Sequence, residues 1–307
     1  MTRRLILCIH LLMLGIAVNT VLAHPVPVVH DKARDLYKEG MAFKKSGNQE
    51  AALQRFVAAI SADSSFTAAY SELGDIYFDR KSYEAALLYS RKAQQLGAEM
   101  VSRLIGLSFY HLHQYENALE ALQQARNEEP DNQLIPYQLA QIYAQLGDYR
   151  ASIHYYREDL VIDSTHTNAW YELGMMFFNT ADFSAAATSF EKAAALGYKQ
   201  DALFLLNTGV TWLRLQQTDK GIDYLCKAQA INPRDEQIMY NLARAWYDKG
   251  NFKEASLQYE QVLYLQPTNA FVMFMLGKSY IGNGEEVKGG ALCDKALSLG
   301  LDKTNIK

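Results

Sequence analysis

The chain has 307 residues, of which 49% are apolar and 21% charged, and a formal net charge of −4. The apolar share suffices for a core, and 6 prolines and 18 glycines are too few for long disordered or collagen-like stretches. Mild acidity without any basic run excludes nucleic acid as a main partner.

Residues 1–23 carry the pattern of a secretory signal. Arg3 and Arg4 open it, Leu5 to Val18 is apolar apart from His10, and Val21-Leu22-Ala23 offers small or apolar residues ahead of a cleavage point. A retained membrane anchor is the rival reading. The apolar stretch falls short of the roughly 20 residues a spanning helix needs, and His10 and then Asn19-Thr20 interrupt it. Cleavage near Ala23 predicts an exported chain, periplasmic or in the cell envelope, with no transmembrane span in the mature form. Residues 24–32, from His24-Pro25-Val26-Pro27 onwards, read as a short extended tail.

From residue 33 to 303 the chain repeats itself. A small residue is followed three places later by an aromatic in Gly40/Phe43, Gly74/Tyr77, Gly106/Phe109, Ala140/Tyr143, Gly174/Phe177, Gly209/Trp212, Ala243/Trp246 and Gly277/Tyr280. The small residues are spaced by 34, 32, 34, 34, 35, 34 and 34. Twelve places after each stands another small residue: Ala52, Ala86, Ala118, Ser152, Ala186, Gly221, Ala255 and Gly289. Such a period marks a stacked repeat array. Within one unit, Trp170, Leu173, Gly174 and Phe177 share a helix face, a break follows at Thr180-Ala181-Asp182, and Ala186, Phe190 and Ala193 share a second face. Gly47, Gly147, Gly250 and Gly284 occupy the break elsewhere, where a left-handed residue ends a helix. Pro130, Pro233 and Pro267 end second helices. The prediction is all-α, with units starting near 33, 67, 99, 133, 167, 202, 236 and 270, and a short tail over 304–307.

These residues resemble the tetratricopeptide repeat (TPR) family. Its W-x2-L-G-x2-Y pattern, followed by A, F and A, appears as Trp170, Leu173, Gly174, Phe177, Ala186, Phe190 and Ala193, and again as Leu242, Ala243, Trp246, Ala255, Tyr259 and Pro267. The resemblance implies a right-handed superhelical solenoid of eight helix-turn-helix repeats. It departs from the family at Asp159, where Ala is usual, and at Ser90 and Cys293, where Phe is usual. Asp159 is expected to reach solvent or a neighbouring donor. Gly221 and Gly289 are expected to weaken their helices by roughly 1 kcal/mol each relative to Ala.

The family's geometry implies a concave groove lined by the first helix of each repeat. The fifth places are Tyr37, Arg103, Tyr137, Tyr171, Tyr240 and Phe274. The ninth places include Gln141 and Arg244, and the twelfth include Phe78, Tyr110, Phe178 and Tyr247. Rings with polar tips suit an interface. The expected partner is a protein or peptide held by aromatic anchors, with Arg103, Arg214 and Arg244 catching acidic groups; a competing expectation is that some of these rings pack between neighbouring first helices. A glycan or peptidoglycan strand is the alternative ligand, and an accessory role in an enzyme complex a third. One TPR subfamily clamps a C-terminal carboxylate, but Tyr37, Met41, Met100 and Leu104 stand where that clamp wants polar or basic groups.

The sequence has no G-x-S-x-G, H-E-x-x-H, phosphate-binding glycine loop or paired-cysteine motif, so no catalysis and no cofactor are expected. His111 and His113 lie on different faces of a helix end and are not expected to share a metal. Cys226 and Cys293 lie two repeats apart, beyond bridging distance, and are expected as free, buried or half-buried thiols. Leu292, Leu297 and Leu299 predict an uncapped apolar end for the last repeat, suited to docking another chain or to dimerisation.

Overall fold

The computed structural model describes residues 28–301, so the leader and the C-terminal tail lie outside the described residues. Sixteen helices form eight hairpins with no strand among the described residues. The first four hairpins are α1 (Val28–Lys45) with α2 (Gln49–Ala62), α3 (Thr67–Asp79) with α4 (Tyr83–Gln95), α5 (Ser102–His111) with α6 (Tyr115–Glu128), and α7 (Leu134–Gln145) with α8 (Tyr149–Ile162). The last four are α9 (Thr167–Asn179) with α10 (Phe183–Ala195), α11 (Ala202–Arg214) with α12 (Thr218–Ile231), α13 (Glu236–Asp248) with α14 (Phe252–Leu265), and α15 (Ala270–Gly282) with α16 (Glu286–Ser298). The first helix begins at Val28, inside the stretch 24–32 expected to be extended. No helix among the described residues is long and apolar enough to cross a membrane.

Each hairpin turns through one residue in the left-handed region. Gly47, Gly147, Gly250 and Gly284 fill it as expected, while Lys81, His113, Ala181 and Gln216 fill it in the other four at φ between 58° and 61°. Asn48, Asp148 and Asp182 then cap second helices by accepting the backbone N–H of Ala51, Ala151 and Ala185. The spacings of 32 and 35 fall where Leu96-Gly97 and Leu196-Gly197 replace the usual exit from the second helix, each glycine left-handed.

The small residue of each first helix faces the residue sixteen places later on the second. A Cβ on Gly40 would sit 2.5 Å from the Phe56 ring, on Gly174 2.6 Å from Phe190, and on Gly106 2.7 Å from Leu122. Where the small residue is Ala140 or Ala243, the partner place holds Tyr156 or Tyr259, both fully buried. At the two family departures, Gly74 faces Ser90 and Gly277 faces Cys293. Hairpins therefore close through small-to-large contacts, and the core runs along the stack as successive clusters.

Gly221 and Gly289 are required rather than merely weak. A Cβ on Gly221 would meet Leu213 at 2.5 Å, and one on Gly289 would meet the Gly277 carbonyl. Cys226 is exposed, against the expectation of a buried or half-buried thiol, and Cys293 is half-buried; both are free. At the C-terminal end Leu292 and Leu297 are half-buried, while Leu299 and Val287 are exposed.

Candidate functional site

The odd-numbered helices approach one another directly, α3 against α5, α5 against α7 and α11 against α13. These are the helices that the family's geometry implies line a concave groove.

The fifth-place rings do not stand free in that groove. Four of the five lean on the large residue of their own second helix, Tyr37 on Phe56 at 5.6 Å, Tyr137 on Tyr156 at 5.7 Å, Tyr171 on Phe190 at 5.7 Å and Tyr240 on Tyr259 at 6.3 Å between ring centres, whereas Phe274 has Cys293 at that place. Tyr171 is 9% exposed, stacks on Tyr198 and accepts from Asn207 at 3.0 Å, so it belongs to the core. Tyr37, Tyr137, Tyr240 and Phe274 are half-buried and keep one edge on the groove. The competing expectation, rings packed between neighbouring first helices, describes Tyr171, which meets Phe204 and Asn207 of α11, whereas Tyr37, Tyr137 and Tyr240 lean on their own second helices instead. The physical reason is that each fifth place lies beside the small eighth residue, where the second-helix ring emerges.

The twelfth-place rings follow another rule. Phe78, Phe178 and Tyr247 meet Tyr83, Phe183 and Phe252 edge-on at 5.4 to 5.5 Å, and Tyr110 meets Tyr115 at 6.0 Å. The partner is the first residue of the second helix in each case. All four are half-buried.

Of the three arginines expected to catch acids, Arg103 is already engaged by Glu129 at 3.4 Å, and that carboxylate also accepts from Asn132, while Arg214 is exposed with its guanidinium 6.0 Å from the centre of the Phe183 ring. Arg244 is exposed, only 3.8 Å from Asp248, a loose pair that leaves it free to act. Gln141 is half-buried with no hydrogen bond. Asp159 is buried and lies 2.7 Å from His166 Nδ1, the neighbouring donor expected for it. Burial raises the Asp159 pKa, and His166 works against that rise. His166 in turn packs on Tyr137 at 4.6 Å.

One groove residue was missed by the sequence reading. Glu172, at the sixth place of the fifth repeat, is half-buried on α9 and has neither a hydrogen bond nor an ion pair. Burial alone raises its pKa. Its charge reaches phenols from several elements. Burial first and Glu172 second raise Tyr137 to about 12, and the same two causes raise Tyr156 and Tyr198. Burial leads again for Tyr110 and for Tyr171, raised to about 12, with Glu172 contributing less. The available signal was the lack of any basic residue three or four places away on its helix, where Asn168, Ala169, Met175 and Met176 stand.

Among the described residues, no group of His, Cys, Asp and Glu is arranged to hold a metal ion.

Family models described as tetratricopeptide repeat match residues 37–100, 110–171, 171–236 and 237–269. The chain is 23% identical over 219 residues to the BBSome complex member BBS4 of Bos taurus, covering 71% of this chain and 42% of that protein. It spans less than half the length of the curated relatives it matches. Among solved structures, YrrB, described as a TPR protein with an unusual peptide-binding site, superposes with a TM-score of 0.55 at 22% identity, over 61% of this chain and 95% of that one. The C-terminal part of a TPR repeat-containing protein from Cytophaga hutchinsonii superposes with a TM-score of 0.64 at 16% identity, over 78% of this chain and 99% of that one. Both likenesses are likenesses of fold.

Proposed function

This chain belongs to the tetratricopeptide repeat family, and from that premise we propose that it is a non-enzymatic scaffold whose concave groove binds an extended segment or helix of a protein partner. The observation that carries this reading is the row of half-buried rings at the twelfth places, Phe78, Tyr110, Phe178 and Tyr247, each braced by the first residue of its second helix, with His111 also against Phe78 and Tyr110. Braced aromatic surface offers contact area at little entropic cost on binding.

The place of action in this reading is outside the cytoplasm, in envelope assembly or secretion. Its support is the leader pattern of Arg3, Arg4 and Leu5 to Val18 ending at Ala23. The C-terminal hairpin is a second contact surface in the same proposal, supported by exposed Val287 on α16 and exposed Leu299 just beyond it. A monomer in light scattering at high concentration would remove its dimer form.

The groove is tested with Phe178→Ala plus Tyr247→Ala, against Tyr264→Ala on the outer side, where that ring is 85% exposed. A stoichiometric protein recovered from envelope extract by the wild-type chain should be lost with the double variant and kept with the control. Equal recovery by a folded double variant would sink the groove reading. Binding to a glycan array or to sacculi without any protein partner would replace the protein with a glycan strand. N-terminal sequencing of the mature chain should begin at His24, and an intact leader in the cytoplasmic fraction would remove the export claim.

A further inference from the structure

Repeats invite comparison of equivalent places, and the two glutamates at the sixth place differ in one respect. Glu72, in the second repeat, accepts from Lys44 at 2.5 Å, a lysine at the twelfth place of the preceding repeat. Glu172 occupies the same place in the fifth repeat, and the residue equivalent to Lys44 is Ala144. The cation that neutralises one carboxylate from within the chain is thus missing for the other.

We propose that Glu172 and the phenols around it form a subsite of the groove that takes one basic side chain, a lysine or an arginine, of a bound peptide. This rests on the groove reading above and names the chemistry of its ligand.

The surroundings of Glu172 supply acceptors and rings but no counter-ion. Tyr110 on α5, Tyr137 on α7, Tyr171 on α9 and Tyr198 before α11 all lie within reach of its charge. The nearby acids are occupied: Asp159 by His166, and Asp201 by the Phe204 N–H it caps. An ammonium has three donors and a guanidinium five, with no acceptor on either, so both match a carboxylate flanked by phenol oxygens. A half-buried carboxylate without a partner resists charging, and an arriving cation relieves that penalty in the bound state. A metal ion fits less well, because among the described residues no group of His, Cys, Asp and Glu is arranged to hold one.

The test is selection of a displayed library of random linear peptides on the full chain, followed by calorimetry on the recovered sequences. Lys or Arg should be enriched at one fixed position. Replacing that residue with norleucine should weaken binding about tenfold. Glu172→Gln should cause a similar loss, and the two losses combined should fall well short of their sum. Ala144→Lys, which supplies the cation from within, should weaken the basic peptide and leave the norleucine peptide unchanged. The norleucine arm alters only the ligand, so folding of the variants does not enter it. Peptides that depend on Phe178 and Tyr247, yet show no basic preference and bind Glu172→Gln as tightly as wild type, would overturn this inference and leave the groove standing. Selection yielding no peptide dependent on those two rings would overturn both.

Discussion

Glu172 sits in the groove at a cost to the fold. Burial raises its pKa above the usual 4.5, so the folded chain binds this proton more tightly than the unfolded chain. Stability from this group is therefore greatest below the ordinary glutamate range and falls as pH rises through the folded pKa. Glu172→Gln removes the buried charge. It should raise stability at neutral pH by about 1 kcal/mol, with the gain fading as pH drops into the carboxylate range. Thermal melts of both proteins across pH check this; an unchanged or lower melting temperature at neutral pH would show the carboxylate satisfied. Asp159 is more deeply buried but has His166 at 2.7 Å, so it needs no outside partner.

Among the elements, α16 shows how little sequence says about a glycine's task. Gly289 and Gly290 are adjacent in one helix. A Cβ on Gly290 meets nothing, whereas one on Gly289 runs into the Gly277 carbonyl and Ile281. Gly290→Ala should thus stabilise by about 1 kcal/mol through helix propensity. Gly289→Ala should destabilise by about 1–3 kcal/mol through overpacking. Denaturant titration of the two variants separates them, and a shared direction would contradict the hairpin crossing described here. The expectation that Gly289 merely weakens its helix came from propensity alone, which is blind to the facing helix. The turn residues carry the same lesson. Four of the eight left-handed positions were legible as glycines, but Lys81, His113, Ala181 and Gln216 adopt the same geometry because the hairpin demands it.

In the whole molecule, each hairpin packs on its sequence neighbours, so stability is distributed along a line and should open from the ends. The largest cluster spans α7 to α13, centred on Tyr156, Phe190 and Phe204. Hydrogen exchange should find the amides of α9 to α12 best protected, with α1, α15 and α16 exchanging first. Uniform protection along the chain would instead show one cooperative unit. The number of hairpins was readable from the period, because every repeat solves the same packing problem with the same residue types. The groove was readable only in outline. Periodicity placed Tyr37, Tyr171 and Phe178 on first helices, but whether a ring faces the groove or the core depends on what the second helix offers beside it. The charge state of the groove depends on the neighbouring repeat. Lys44 reaches Glu72 across a repeat boundary, while Ala144 leaves Glu172 unmatched, and no pattern confined to one repeat contains that difference. The sequence by itself determined a stack of eight helical hairpins; only the packing of one hairpin on the next decided which side chains remain free to meet a partner.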